Sequence, residues 1–347
     1  RGIFILALLI IIIGGSLALF AWRGPELAGG GLFQPVSREG GLLLNNLLLT
    51  TAAATVLLGT LYPLMLEAVG GGKVSVGPPF FNAVFIPLMA PLIVALAVGP
   101  LLPWKRGDLG VALKRLWLAA AAAIVAAVLV WTRDSDSIVA IVGIGLAAWL
   151  FVGALTELAA RIRLTQVPPV ESIRRLARLP RSAIGMTLAH AGLAVAIVGM
   201  TAAAVWKLES IEVMTPGDSV ALAGYQYTFE GARSVQGPNY VAVEGTFTVR
   251  QGESQVSILK AEKRRYPVEQ NETTEAAIYP TFWGDLYAVI GEADASTGGY
   301  VTRIYFNPLV GWIWAGVFIM VVGGLFSLSD RRHRVGAPVR HRRATQH

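Results

Sequence analysis

The chain has 347 residues, of which 54% are hydrophobic and only 15% are charged, and it contains no cysteine. The scarcity of charge excludes an ordinary soluble domain, and the missing cysteines exclude disulfides, zinc–thiolate sites and iron–sulfur clusters. The net charge of +7 comes from basic segments between long apolar runs, so we expect a protein surrounded by membrane lipid, with no nucleic-acid partner.

Seven apolar stretches are each close to the ~20 residues that a helix needs to cross ~30 Å of hydrocarbon. They predict a polytopic α-helical membrane protein whose first six spans lie within residues 1–206. The third stretch contains four prolines, so we expect it to be kinked or broken, either for packing or to shape a cavity. The predicted spans are 2–22, 43–66, 84–103, 114–132, 138–159, 184–206 and 309–328.

Lysine and arginine cluster in three segments that fall on one side of the membrane if there are seven spans. The positive-inside rule makes that side the cytoplasm, with residue 1 outside and residue 347 inside. The short connections on the opposite side contain only Lys73 and Arg133. The basic segments are 104–115, 160–183 and the cytoplasmic tail 329–347.

Residues 207–305 differ in kind, because apolar and polar side chains alternate there, as in 225–229 (YQYTF) and 246–249 (TFTV). Such alternation predicts half-buried strands. We therefore predict an inserted periplasmic antiparallel β domain of six to eight strands that meets partner proteins. Turn signals divide it at 216–218, 237–239, 251–252 and 298–299.

Among the four histidines only His190 lies in a predicted span, and His333, His341 and His347 are expected to be solvated in the tail. An ionisable side chain roughly 10 Å deep in a membrane marks a candidate functional site. Its imidazole either ligates haem iron or forms a hydrogen bond to a neighbouring helix, and the sequence leaves both interpretations open. One side of the helix has small residues that let another helix or a flat cofactor approach, namely Gly185, Ala189, Gly192, Ala196, Gly199 and Ala203.

Two further features have more ordinary interpretations. Glu157 is followed by Arg161 at the spacing of a helical ion pair, so we interpret it as an interfacial pair rather than a proton carrier. The external loop 70–82 is rich in glycine and aromatic residues, and it either lines a binding surface or simply connects two spans.

Six strings along nearly the whole chain resemble, in the same order, the C-terminal half of the CcmF family, the haem lyase subunits of bacterial cytochrome c maturation. A match in order over this length is more specific than any single motif. The strings are 33–40 (FQPVSREG), 44–47 (LNNL), 56–63 (VLLGTLYP), 74–82 (VSVGPPFFN), 188–192 (LAHAG) and 273–278 (TTEAAI).

The resemblance implies an activity, a cofactor and partners. CcmF-type proteins attach haem, delivered by the periplasmic haem chaperone CcmE, to the two cysteines of a CxxCH motif in apocytochrome c, which a CcmH-type subunit presents. They also hold a resident haem b between two membrane histidines, which takes electrons from quinol. His190 matches the later of these two axial ligands, and no residue of this chain is assigned a catalytic role.

The family's tryptophan-rich haem-handling segment and its first membrane histidine lie upstream of what this chain contains. The chain also begins at Arg1 rather than at a methionine. We therefore expect it to be the later part of a longer protein and to be inactive by itself. The alternatives from other classes are a transporter or export permease with an external β domain, and a scaffold that only docks partners.

Overall fold

The computed structural model describes residues 2–24, 34–268 and 270–330, which form helices interrupted near the C-terminal end by a β domain. This arrangement confirms the predicted fold class. The chain divides into two compact units, one formed by 1–122 and 152–172 and the other by 123–151 and 173–347. The helices are α1 (Gly2–Arg23), α2 (Arg38–Ala68), α3 (Pro78–Val98), α4 (Leu109–Arg115), α5 (Trp117–Trp131), α6 (Ile138–Ile162), α7 (Pro169–Ala177), α8 (Arg181–Val205) and α9 (Val310–Leu328).

Six of the described helices, α1, α2, α3, α6, α8 and α9, are long and apolar enough to cross a membrane. The predicted span 114–132 instead falls on a bend of 62° between α4 and α5. The bend is at Leu116, which is fully buried and whose amide ends α4 by donating to the carbonyls of Ala112 and Leu113. The 15 residues of α5 extend about 22 Å, less than the hydrocarbon thickness, so a seventh span requires α4 and α5 together.

Two helices begin earlier than their hydropathy suggests. The side chain of Ser37 accepts a hydrogen bond from the amide of Gly40, which starts α2 at Arg38 rather than at residue 43. Proline occupies the first turn of α3, where its missing amide costs no hydrogen bond. The helix then runs through Pro87 and Pro91 without a break and ends in a single 3-10 turn, Gly99–Leu101.

The predicted external loop 70–82 is only partly a loop, because its last residues form the first turn of α3. Phe80 and Phe81 pack edge to face, with ring centroids 5.4 Å apart. A Cβ added to Gly59 of α2 would lie 2.7 Å from the Phe80 ring, so the glycine admits this aromatic pair. Part of the segment's glycine and aromatic content therefore serves the packing of α2 on α3.

The β domain is a sandwich of two antiparallel sheets with nine strands, one more than the upper limit predicted. The strand order is β1-β9-β8-β7 in one sheet and β2-β3-β4-β5-β6 in the other. Three of the four predicted turns fall between strands, and the fourth, 251–252, begins on the last residue of β4. The strands are β1 (Leu208–Met214), β2 (Ser219–Leu222), β3 (Tyr225–Gln236), β4 (Val241–Gln251), β5 (Ser254–Tyr266), β6 (Asn271–Glu275), β7 (Ala277–Pro280), β8 (Gly284–Ala293) and β9 (Tyr300–Pro308).

The sandwich core follows the alternation in the sequence. Tyr227 and Phe229 on β3 face Phe247 and Val249 on β4, and all four are fully buried. The rings of Phe229 and Phe247 lie 5.1 Å apart, and Leu286, Ile290 and Ile304 of the other sheet close the core. Intervening residues such as Thr228 and Thr248 are only partly buried, as period-two patterning requires.

The first and last strands of the sandwich are neighbours, with Leu208 of β1 opposite Phe306 of β9. The domain is therefore an insertion whose two ends leave side by side, one to α8 and one to α9. The loop between β7 and β8 also contacts α9, because the Trp312 indole donates to the Phe282 carbonyl at 3.2 Å and their rings lie 5.6 Å apart. Trp283 adds to this cluster at the end of the span, where aromatic side chains favour the membrane interface.

Candidate functional site

Helices α8 and α9 pack antiparallel along a row of glycines. Gly185, Gly192 and Gly199 repeat every seven residues on α8, and Gly316 and Gly323 have the same spacing on α9. A Cβ added to Gly192 would lie 2.6 Å from the Gly316 carbonyl oxygen, and one added to Gly185 would lie 2.4 Å from that of Gly323. Backbone therefore meets backbone along the whole pair, and the small-residue stripe is covered by a helix rather than left open to a flat cofactor.

His190 lies on the opposite side of α8. At about 100° per residue, it is roughly 160° around the helix from Gly192 and roughly 180° from Gly199. The same face carries Thr187 and Thr201, both of which are buried. A Cβ added to Gly143 of α6 would lie 2.5 Å from the Thr201 hydroxyl, so this face also packs against a helix at its far end.

The His190 imidazole has no hydrogen bond or ion pair within residues 2–24, 34–268 and 270–330, although the side chain is half-buried. Thr187, one turn away on the same face, donates its hydroxyl to the Ala183 carbonyl at 3.2 Å. The described residues thus contain no hydrogen-bond partner for the His190 imidazole. The imidazole is nine residues into α8 from Arg181, or about 14 Å along the axis.

On this face of α8 among the described residues, the candidate metal ligand is one nitrogen atom of His190. No three histidine or acidic side chains converge within the part of the chain that the structure describes. His190 is the only histidine among the described residues, so these residues offer one imidazole and not a pair of imidazole ligands. The tail residues His333, His341 and His347 lie outside the described residues.

Both ends of α8 are fixed by polar contacts. At one end, the amide and hydroxyl of Ser182 donate to the Asp330 carboxylate at 3.1 and 2.9 Å. At the other end, the Trp206 indole donates to Asp134 at 2.8 Å, which ties the helix to the turn between α5 and α6. The only histidine of the described residues is therefore on a helix held at both ends and along one face.

The predicted ion pair between Glu157 and Arg161 is present on α6, and the Glu157 side chain is buried. The basic segment 160–183 contains the short helix α7, which hydropathy alone did not indicate. Its mixed composition, with exposed Val170 and Ile173 beside arginines, is typical of a helix lying along a membrane surface.

These features define a class: a polytopic α-helical membrane protein with an antiparallel β-sandwich inserted before its last span. The family model described as the CcmF C-terminal β-sandwich matches residues 205–308. The cytochrome c-type biogenesis protein CycK of Rhizobium meliloti (strain 1021) is 48% identical over 345 residues, covering 99% of this chain and 51% of that protein.

Two further comparisons agree. CcmF of Escherichia coli (strain K12) is 39% identical over 337 residues, covering 96% of this chain and 50% of that protein. A solved structure of the cytochrome c heme lyase CcmF aligns with a TM-score of 0.64 and 25% identity, covering 86% of this chain and 46% of that one. The chain spans about half the length of the curated relatives it matches. In sequence and fold it corresponds to the C-terminal half of CcmF-type cytochrome c biogenesis proteins.

Proposed function

We propose that the chain works as the C-terminal half of a haem lyase subunit in cytochrome c maturation. The observation that carries this proposal is the joint match of membrane helices and β-sandwich to proteins named for cytochrome c biogenesis, over nearly the whole chain. These names favour haem attachment over transport. The proposed setting is the bacterial inner membrane, with the sandwich in the periplasm, where apocytochrome c, a CcmE-type haem chaperone and a CcmH-type subunit would meet it.

We further propose that His190 is one axial ligand of a resident haem b. The unpartnered, half-buried imidazole on the face of α8 away from α9 supports this assignment. A haem b with two imidazole ligands supplies one-electron redox chemistry, with quinol as the proposed donor. The residues of this chain then have supporting roles: the α8–α9 glycine contacts and the contacts of Ser182 and Trp206 hold the helix, and His190 supplies one nitrogen.

The test is the substitution His190→Ala in the full-length protein that contains this chain. It is expected to abolish or convert the b-type spectrum and to lower the yield of mature cytochrome c. His190→Met is expected to keep some haem at a raised potential, because a thioether replaces an imidazole. Haem content, the reduced α-band and covalent cytochrome c are the measurements.

The matched control is Thr187→Ala, one turn away on the same face, whose hydroxyl contacts only the backbone. It is expected to leave the spectrum and the yield unchanged. If His190→Ala also left haem content and spectrum unchanged, the ligand assignment would be wrong, whereas the lyase proposal would stand as long as the protein still supported cytochrome c maturation. The chain alone is expected to bind haem poorly, because it supplies one ligand of two.

A further inference from the structure

A cavity of about 680 Å³ opens beside the bend between α4 and α5. Lys114 and Arg115 reach it from the last turn of α4, and Arg163 reaches it from the residue after α6. Because α5 begins and α6 ends at this level, all three cations lie at the same end of these two helices. The positive end of the α5 dipole is at the same place, since Trp117 and Leu118 of its first turn also line the cavity.

None of these three cations has a carboxylate partner within the described residues. The acid on the neighbouring turn of α6, Glu157, is already paired with Arg161. The cavity therefore concentrates three positive charges with no internal neutralisation. Such an arrangement attracts an anion, and a phosphate can accept hydrogen bonds from several cations at once.

Apart from Thr156, Thr165 and Gln166, the rest of the cavity wall is apolar. Trp117, Leu118 and Leu155 form its surface, and the wall follows α6 from Val152 to Ala160, a rise of about 12 Å. The one hydroxyl in this stretch, Thr156, donates to the Val152 carbonyl at 2.8 Å, so its hydrogen is not available to a ligand. A charged rim above an apolar wall of this length fits an amphiphile with an anionic head.

We propose that this cavity binds an anionic phospholipid, with its phosphate between Lys114, Arg115 and Arg163 and its acyl chains along α6. Basic pockets at the cytoplasmic ends of membrane helices suit such headgroups. A neutral lipid would leave the charges unpaired, and a soluble phosphate would make no use of the apolar wall. The lipid would also lie beside the bend at Leu116, so that it supports the bent pair α4–α5 as a span. This site is separate from the proposed haem ligand and does not depend on it.

The experiment uses the full-length protein in neutral detergent and a phosphatidylglycerol with a photoactivatable acyl chain. Crosslinks to peptides of 117–131 and 152–166 are expected. The variant K114Q/R115Q/R163Q is expected to weaken this labelling by a factor of roughly 10 to 100 in apparent affinity, because each basic residue contributes several-fold to anionic lipid binding. The control K105Q/R106Q/R178Q removes the same charge from basic segments outside the cavity and is expected to change labelling less than about twofold.

Two more arms separate the possible outcomes. Ala160→Phe keeps all three charges but fills the apolar wall, so it is expected to lower phosphatidylglycerol labelling as well, and its thermal melting reports whether the protein is folded. Unlabelled phosphatidylglycerol is expected to compete, whereas phosphatidylcholine and inorganic phosphate are not. Equal loss of labelling in the two triple variants, normal labelling in Ala160→Phe, or competition by inorganic phosphate alone would each overturn the proposal.

Discussion

Two aspartates of the β-sandwich have opposite electrostatic environments. Asp294, in the turn between β8 and β9, accepts from the Ser296 amide at 2.9 Å and from the hydroxyls of Ser296 and Thr297, and these hydrogen bonds lower its pKa. Asp285 on β8 has one buried carboxylate oxygen with no partner among the described residues, and burial raises its pKa. The two groups should therefore affect stability with opposite signs.

We expect Asp285→Asn to stabilise the full chain at neutral pH by about 1 kcal/mol, because burying a neutral amide costs less free energy than burying a carboxylate. The melting temperature should rise accordingly. Because the pKa of Asp285 is raised in the folded state, the carboxyl group destabilises the folded chain when it is ionised, and this cost disappears as the pH falls towards the ordinary value of 3.8. The stability gained by Asp285→Asn should therefore shrink on acidification. Thermal melts from pH 7 to pH 4 measure it. A gain that grew with acidity would contradict the assignment.

Asp294→Asn is the matched comparison within the same prediction. The pKa of the Asp294 carboxyl group is lowered, so its contribution to folding stability is present above the ordinary value of 3.8 and is lost as the pH falls through the folded-state pKa. The substitution should therefore lower the melting temperature at neutral pH and matter less in acid. If both substitutions shifted the melting temperature in the same direction at pH 7, the opposed environments would not be real.

At the scale of elements, α8 and α9 pack closely enough for their backbones to touch at the glycines. Two adjacent glycines in α9 differ sharply in surroundings, because a Cβ on Gly323 would lie 2.7 Å from the Gly185 carbonyl oxygen, whereas a Cβ on Gly324 would meet nothing within 4 Å. The contact involves backbone atoms, which cannot move aside as the end of a side chain can. A single methyl group must then push the two helices apart.

We expect Gly323→Ala to destabilise the protein by about 1–3 kcal/mol, the usual cost of overpacking. Gly324→Ala should be neutral or slightly stabilising, because alanine is the better helix former. Thermal melting in detergent compares the two variants directly. Equal melting temperatures would show that α8 and α9 do not pack through these glycines.

The sequence predicted this packing only in part. The small-residue stripe on α8 indicated a close approach, and the approach is present. The stripe could not show whether a helix or a cofactor approaches α8. The helix that does so, α9, lies more than 100 residues later in the chain, and its glycines alone do not indicate which helix they contact. That His190 faces away from the stripe could have been predicted from the sequence, because it follows from the rotation of about 100° per residue between His190 and the glycines.

Helix ends were predicted less well than helix centres. Hydropathy located the apolar middle of each span, so 138–159 lies within α6. It missed the first turn of α2, which is polar and depends on the Ser37 cap, and it missed the bend at Leu116, which divides an uninterrupted apolar run. In the sandwich, side-chain alternation was a sufficient guide to Phe247 and Val249 in the core. Strand pairing between β1 and β9 could not be read from it, because these strands are far apart in sequence.

At the scale of the whole molecule, the side on which each segment lies depends on whether the bent pair α4–α5 crosses the membrane. If it does, the connections 104–108 and 163–168 lie on one side, and the turn at 132–137 lies on the other. If the pair dips in and returns, 104–108 and 132–137 share a side, and the next basic segment falls opposite to them. The positive-inside rule favours the first arrangement, because Lys105, Arg106 and Arg163 are then together.

We expect seven spans, with the basic connections in the cytoplasm and the sandwich outside. The chain contains no cysteine, so single cysteines can be introduced at Arg106, Ser135, Gln166 and Thr297, all of which are exposed. A membrane-impermeant maleimide added to spheroplasts should label Ser135→Cys and Thr297→Cys at once, and Arg106→Cys and Gln166→Cys only after lysis. Each variant labelled after lysis serves as its own control for reactivity. A different result would be labelling of both Arg106→Cys and Ser135→Cys in intact spheroplasts, with protection of Gln166→Cys. It would mean that α4–α5 is re-entrant. The chain would then have six spans, with the basic segments divided between the two sides of the membrane.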